Sequence, residues 1–200
     1  ATGADQSKQE APGTEEWLNV IDEAASLGVS VLMLSLDASL TEYPNLLDIA
    51  DWAQTTHNMT VGLHVEEAAF RPDEIEMLRQ LDATKLRVYP RSESLDAFRA
   101  LEAEGIAVAP ADPQPYGERP ACEGATQMLF VDENGVLYTC GLVEGKEEYR
   151  LGTVFEGAFH KVLADPNLRH CIERSVHFVT EGCDGCPSLV VNFERNEREQ

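Results

Sequence analysis

Four cysteines in the second half of the sequence have the spacing of a metal site. Cys183 and Cys186 form a Cys-x-x-Cys pair, and Gly185 between them lets the backbone turn so that both thiolates reach one metal centre. Cys122 and Cys140 flank a segment typical of a β-hairpin, which would bring their sulfurs close together. Four thiolates suit a 4Fe–4S cluster or structural zinc, and spacing alone does not choose between them.

Other candidate residues carry weaker signals. Cys171 is interpreted as a core or surface thiol, because the other four thiolates already complete a tetrahedral site. Acidic residues at the predicted carboxyl ends of parallel strands are candidates for lining a ligand pocket, although solvated loop carboxylates are the simpler interpretation. These acidic residues are Asp37, Glu66 and Glu67. The histidines show no metal-binding spacing and are interpreted as surface or ordinary core residues: His57, His64, His160, His170 and His177.

The composition is that of a folded, strongly acidic protein. The 200 residues are 43% hydrophobic, and 36 acidic against 15 basic side chains give a formal net charge of −21. Such a charge repels nucleic acid and anionic membranes, so neither is expected as a partner. A halophilic host would explain it without any functional meaning, whereas a basic electron-transfer partner or substrate would give it one. An odd number of cysteines with one Cys-x-x-Cys pair indicates a reducing compartment, and we expect a cytoplasmic protein.

The first half alternates between helix and strand patterns, which predicts parallel strands joined by right-handed crossovers. Thr14 and Ser92 are the predicted caps of the first and last helices, and Pro44 and Pro72 are predicted to open the two between them. The run at 29–34 is predicted to be a strand buried on both faces. Predicted helices cover 14–27, 44–53, 72–81 and 92–104, and predicted strands cover 29–34, 60–65, 85–89 and 106–109.

The chain changes character near residue 110. A proline-rich linker is predicted at 111–121, followed by a small α+β domain at 122–193. This domain contains the predicted hairpin, with strands at 127–131 and 136–139 around the Asn134-Gly135 turn, and a predicted helix at 155–163. Residues 1–13 are predicted to be a disordered or extended lead-in, 14–110 the first domain and 194–200 a frayed tail.

The second half resembles a known family. Cys122, the segment from Val131 to Cys140 with its Gly-x-x-x-x-Cys pattern, and the sequence Gly-Cys-Asp-Gly-Cys-Pro ending at Pro187 are similar to the auxiliary-cluster extension of radical SAM enzymes, called the SPASM or twitch domain. With four ligands the chain is closer to the one-cluster twitch type. The resemblance implies that Cys122, Cys140, Cys183 and Cys186 ligate an auxiliary 4Fe–4S cluster.

The first half also resembles the radical SAM family, in degenerate form. The elements from Thr14 to Ala53 are similar to those after the catalytic cluster loop, which implies a partial (β/α) barrel-like sheet of about four to five parallel strands. The Cys-x-x-x-Cys-x-x-Cys loop is missing from the sequence, and the segment 36–39 reads Leu-Asp-Ala-Ser where the family has Gly-Gly-Glu-Pro. We therefore expect neither S-adenosylmethionine binding nor autonomous radical SAM catalysis.

Three functions remain open at this point. The first is a cluster-binding accessory that relays electrons or presents a substrate, with a partner enzyme or a peptide substrate as its partner. The second is a structural scaffold in which the four thiolates hold zinc. The third is one part of a split radical SAM enzyme.

Overall fold

The computed structural model describes residues 12–43, 45–65, 70–90, 96–109, 129–138 and 141–155, together with residues 159 and 164. The predicted linker and tail, and the lead-in up to residue 11, lie outside these ranges. The helices are α1 (Thr14–Ser26), α2 (Leu46–Thr56), α3 (Pro72–Leu78) and α4 (Arg99–Ala103). The strands are β1 (Val31–Leu36), β2 (Thr60–Val65), β3 (Leu86–Pro90), β4 (Ala107–Val108), β5 (Phe130–Val131), β6 (Val136–Tyr138) and β7 (Arg150–Thr153).

The first half forms a parallel sheet in the order β1-β2-β3-β4. Each strand lies beside the next one in sequence, and a helix crosses over between each pair. This order is that of a (β/α) barrel segment, because a doubly wound sheet reverses its order at a switch point. The predicted α/β class with a partial parallel sheet is confirmed.

The helices cover one face of the parallel sheet. Alternate strand residues, such as Leu63 in β2 and Val88 in β3, share a buried core with Ala50 of α2 and Leu101 of α4. Each buried leucine or valine of this core contributes about 1.5–3 kcal/mol through removal from water. The opposite face, which corresponds to the interior of a barrel, carries the intervening residues of each strand.

The prediction that the first strand is buried on both faces is wrong. The strand is shifted to Val31–Leu36, its first four residues are half-buried, and Ser35 is exposed. Within the described residues β1 pairs with β2 on one side and forms the edge of the sheet. A short apolar run has the same pattern in a central strand and in an edge strand, so sequence could not separate them.

The helix ends differ from those predicted. Thr14 is the first helical residue, and Gly13 before it is the cap. The side chain of Glu16 accepts a hydrogen bond from the backbone N–H of Gly13 at 2.8 Å, which stabilises this start of the helix. The last helix is a single α-helical turn at Arg99–Ala103 that follows a 3-10 turn at Asp96–Phe98. The predicted cap Ser92 and the predicted helix start Pro44 lie outside the described residues.

The second half forms an antiparallel sheet in the order β5-β6-β7. The predicted hairpin is confirmed in its described part, with Phe130 opposite Tyr138 and Val131 opposite Leu137. Strand β7 was not predicted. Phe155 lies in a turn after β7 and not in a helix, and most of the predicted helix at 155–163 lies outside the described residues.

Candidate functional site

The predicted metal ligands cannot be located in the fold. The described ranges include neither these ligands nor the additional thiol: Cys122, Cys140, Cys171, Cys183 and Cys186. Within the described residues, no group of three or more His, Cys, Asp or Glu side chains could hold a metal ion. Because no cysteine is described, the four-thiolate site stays a prediction.

The β5–β6 hairpin is the described element nearest in sequence to the predicted ligands. Phe130 is opposite Tyr138 in the antiparallel ladder, so the chain enters β5 and leaves β6 at the same end of the hairpin. Cys140 follows Tyr138 by two residues, and the segment that begins at Cys122 leads into β5. The two segments that carry these cysteines therefore join the sheet at one end.

The hairpin turn is held by one side chain. The Asp132 carboxylate accepts backbone N–H groups of Asn134 at 2.9 Å and Val136 at 2.8 Å. Gly135 has a φ of +76°, which side chains rarely adopt, and a Cβ at this position would overlap the Phe155 ring. Gly135 is thus required both by the backbone conformation of the turn and by the packing of Phe155 beneath it.

Helix α1 holds the antiparallel sheet in place. Trp17 of α1 and Phe155 pack edge to face, with ring centroids 5.1 Å apart. The backbone N–H of Val154 donates to the carbonyl oxygen of Gly135 at 2.8 Å, which ties the end of β7 to the hairpin turn. The buried residues of this second core are Val20, Leu137, Val154 and Phe159.

A buried carboxylate fixes the loop that follows β1. Glu74 at the start of α3 is fully buried and accepts the Ser39 hydroxyl at 2.6 Å, the Leu40 N–H at 2.9 Å and the Arg71 N–H at 2.8 Å. The Arg71 guanidinium also donates to Ser39 at 2.6 Å and to Thr41 at 2.9 Å. We call this group of residues the Glu74 clamp.

The Glu74 clamp keeps its carboxylate charged. Burial opposes ionisation, but hydrogen bonds from Ser39 and from the backbone and side chain of Arg71 outweigh it and lower the pKa of Glu74. The clamp engages the 36–39 segment, where the resemblance would place a cofactor-binding Gly-Gly-Glu-Pro. Here the Ser39 hydroxyl and the Leu40 N–H are bonded to the protein's own carboxylate.

The loop after β1 also approaches the hairpin. Burial raises the pKa of Tyr43, and so does the hydrogen bond that its hydroxyl donates to the Asp37 carboxylate. Burial raises the pKa of Glu144, and the negative charges of Asp132, Glu133 and Asp37 raise it further. Asp37, predicted from sequence as a candidate pocket residue, therefore lies near enough to Glu144, in the segment between β6 and β7, to contribute to its raised pKa. Its companions in that prediction, Glu66 and Glu67, lie outside the described residues.

The barrel-interior face carries polar side chains near the carboxyl ends of the strands. Ser35, His64 and Tyr89 are register partners on β1, β2 and β3, and both His64 and Tyr89 are buried. One row earlier, a Cβ on Gly62 would lie 2.7 Å from the Met33 side chain and 3.1 Å from Tyr89. The missing side chain lets Met33 and Tyr89 approach each other over β2. A hydroxyl, an imidazole and a phenol occupy neighbouring register positions on the three strands.

Asp22 joins α1 to α2 through two hydrogen bonds. Its carboxylate accepts the Trp52 indole N–H at 2.6 Å and lies 2.6 Å from His57 Nε2. The hydrogen bond from Trp52, followed by that from His57, lowers the pKa of Asp22. Sequence analysis missed both Asp22 and Glu74. Glu74 had a signal, since a Glu at the third position of a Pro-opened helix is typical of a capping box, whereas Asp22 had none.

Comparison with known proteins supports the fold. No protein-family model matches the chain, and no curated protein is similar to it. Among solved structures, the crystal structure of Streptococcus suis SuiB bound to S-adenosylmethionine is similar, with a TM-score of 0.51 and 11% sequence identity over 82% of this chain and 61% of that chain. The chain thus spans less than two thirds of that protein's length. The similarity supports an α/β fold shared with that protein and carries no ligand or activity over to this chain.

The α-helices of the described ranges are 5 to 13 residues long. No helix there has both the length and the apolar composition needed to cross a bilayer.

Proposed function

We propose that the chain binds one 4Fe–4S cluster through Cys122, Cys140, Cys183 and Cys186, and that it acts as an electron-relay or substrate-presenting accessory to a partner enzyme. The β5–β6 hairpin is the observation that carries the proposal. The sequence pattern that predicted this hairpin is the same pattern that resembles the twitch domain, and the hairpin lies in the described structure at the expected residues. Its geometry supports the approach of the segments that carry Cys122 and Cys140.

The donor set fits such a cluster, because four thiolates are the usual ligands of iron–sulfur centres. When bound, a 4Fe–4S cluster accepts or releases one electron at a time. The chain's own contribution is a rigid support next to Cys140. The Asp132-held turn and the packing of Phe155 against Trp17 fix the hairpin on α1.

An accessory role is proposed in preference to catalysis for two reasons. The 200 residues contain no Cys-x-x-x-Cys-x-x-Cys loop that could hold a second cluster with an open iron site. In addition, the Glu74 clamp occupies the Ser39 hydroxyl and the Leu40 N–H, so these groups are committed to the protein itself. We therefore propose that this chain does not hold S-adenosylmethionine, and that it works in the cytoplasm, where thiols stay reduced.

Anaerobic purification with visible absorption and iron analysis tests the proposal. The wild-type protein is expected to be brown, with about four irons per chain. Changing any one of Cys122, Cys140, Cys183 or Cys186 to serine is expected to remove most of the iron. Cys171→Ser is the matched control, since it removes a thiol that the proposal does not use, and it should keep its iron.

Three outcomes would contradict the proposal. A colourless protein with one zinc per chain would establish the structural zinc scaffold instead. An iron loss in Cys171→Ser equal to that in the other variants would show that the ligand set is wrong. Radical SAM activity that appears only when a second chain supplies a three-cysteine loop would favour one part of a split enzyme.

A further inference from the structure

A groove lies between α1 and the turn that follows β7. Its volume is about 190 Å³ and its described lining is Glu16, Asn19, Val20, Glu23, Val154 and Phe155. The four α1 residues are spaced i, i+3, i+4 and i+7, so they lie on one face of the helix. The groove is therefore formed by one face of α1 and by the residues that follow β7.

The lining has a distinct chemistry. Val20 and Val154 are buried and form an apolar floor together with Phe155. Glu16 and Glu23 lie two helical turns apart, or about 10 Å along α1, and place a carboxylate toward each end of the floor. The described part of the lining contains no basic side chain. An apolar floor with acidic ends matches a long aliphatic side chain that ends in a cation.

The surroundings extend this negative charge. Helix α1 contains four acidic residues and no Lys or Arg. The hairpin turn that carries Asp132 and Glu133 lies next to the groove, because the Val154 N–H donates to the Gly135 carbonyl at 2.8 Å. Asp132 and Glu133 in turn lie close enough to Glu144 to raise its pKa, after the larger effect of burial.

We propose that this groove binds an arginine or lysine side chain of a basic polypeptide partner. A net charge of −21 disfavours nucleic acid and a second copy of the chain as occupants of the groove. The proposal identifies the partner surface for the accessory role proposed above, and it rests on that role for its biological meaning. The binding itself uses only described residues and needs no cluster.

Fluorescence anisotropy with a labelled peptide of alternating arginine and leucine residues tests the groove. The double variant Glu16→Gln/Glu23→Gln is expected to raise the Kd about three- to fivefold, because it removes the carboxylate that pairs with the side-chain cation at whichever end of the groove the cation lies. Gln at position 16 can still accept the Gly13 N–H, which preserves the start of α1. Asn19→Lys places a cation in the groove and is expected to weaken binding to a similar extent.

The matched control is Glu42→Gln/Glu102→Gln, which removes the same charge from exposed sites that do not line the groove. It should change the Kd less than twofold. Equal weakening by both double variants would mean that only the overall charge attracts the peptide, and it would overturn the proposal. The proposal would also fail if the peptide does not bind, if a glutamate–leucine peptide binds equally well, or if the groove variants instead abolish self-association measured by sedimentation.

Visible absorption recorded on the same samples keeps the two proposals separate. Peptide binding by a colourless protein would contradict the proposed cluster but support the proposed peptide site in the groove. A brown protein that does not bind the peptide would contradict only the proposed peptide site.

Discussion

Removing the Glu74 carboxylate is expected to destabilise the fold by about 3–5 kcal/mol, although Glu74 touches no predicted ligand. The change is Glu74→Ala. Glu74 is fully buried and is the acceptor for two backbone N–H groups, those of Leu40 and Arg71. These groups belong to the loop after β1 and to the start of α3, so one side chain joins two crossovers of the parallel sheet.

The magnitude follows from the donors that would remain. A buried N–H without an acceptor costs about 1–3 kcal/mol. This applies in full to Leu40, whereas the Arg71 N–H is only partly buried, so the two groups together account for about 2–5 kcal/mol. The Ser39 hydroxyl and the Arg71 guanidinium are partly exposed and can turn to water, so they add little. Glu74→Gln keeps the shape and one acceptor oxygen, and we expect a smaller loss of about 1–3 kcal/mol.

The same residue predicts a pH dependence. The pKa of Glu74 in the folded protein lies below its ordinary value of 4.5. Its contribution to stability is therefore complete above about pH 4.5 and falls as the pH drops toward the folded-state pKa. The stability difference between the wild type and Glu74→Ala should be constant near pH 7 and should shrink below pH 4.5.

Urea denaturation followed by far-ultraviolet circular dichroism measures these differences. Glu76→Ala is the matched control, since Glu76 is exposed on the same helix and pairs only with a surface arginine among the described residues. It should change the free energy of unfolding by less than about 0.5 kcal/mol. The reasoning would be refuted if Glu74→Ala and Glu76→Ala were equally stable, or if their difference did not depend on pH.

Three further substitutions test the packing around the candidate sites. Gly135→Ala should cost about 2–4 kcal/mol, because the turn needs a positive φ and the new methyl group would overlap Phe155. Gly62→Ala should cost only about 1 kcal/mol, because the methyl group would meet the flexible end of Met33, which can shift. Gln54→Ala should cost about 1–3 kcal/mol, because this buried amide makes two hydrogen bonds to the backbone of the turn before β3. Urea titrations at pH 7 measure all three.

Each of these substitutions has a control. Gly145 has a comparable positive φ of +73°, but a methyl group there would meet no other atom. Gly145→Ala should therefore lower the free energy of unfolding by at least 1 kcal/mol less than Gly135→Ala, in which overlap with Phe155 accounts for about 1–3 kcal/mol. Met33→Ala should cost less in the Gly62→Ala background than in the wild type, and a strictly additive double variant would contradict the proposed clash. Asp51 is exposed on α2, so Asp51→Ala should change the free energy of unfolding much less than Gln54→Ala does.

Sequence predicted the order of elements in the first half because glycine, proline and apolar periodicity are local signals. The strand at Thr60–Val65 matches its predicted bounds, and Pro72 opens α3 as expected. Position within the sheet is not a local property, so the edge location of β1 was missed. Strand β7 was missed for a related reason, since its four residues include Arg150 and Gly152 and it is stabilised by pairing with β6.

The candidate sites divide in the same way. The hairpin could be predicted because Asn-Gly between apolar runs has a local meaning. The Glu74 clamp and the α1 groove could not, because they depend on contacts between residues far apart in sequence, such as Ser39 with Glu74 and Val20 with Val154. The cysteine site stays a prediction, since its residues lie outside the described ranges.

The position of α1 has a consequence for how the protein loses its structure. Ile21 belongs to the core of the parallel sheet, and Val20, the preceding residue, belongs to the core of the antiparallel sheet. Unfolding of this helix would therefore expose both hydrophobic cores to water at once. This predicts one cooperative thermal unfolding transition instead of two separate steps. A recombinant fragment that carries only the antiparallel sheet would expose its apolar face to water, and it would need α1 supplied with it to remain folded.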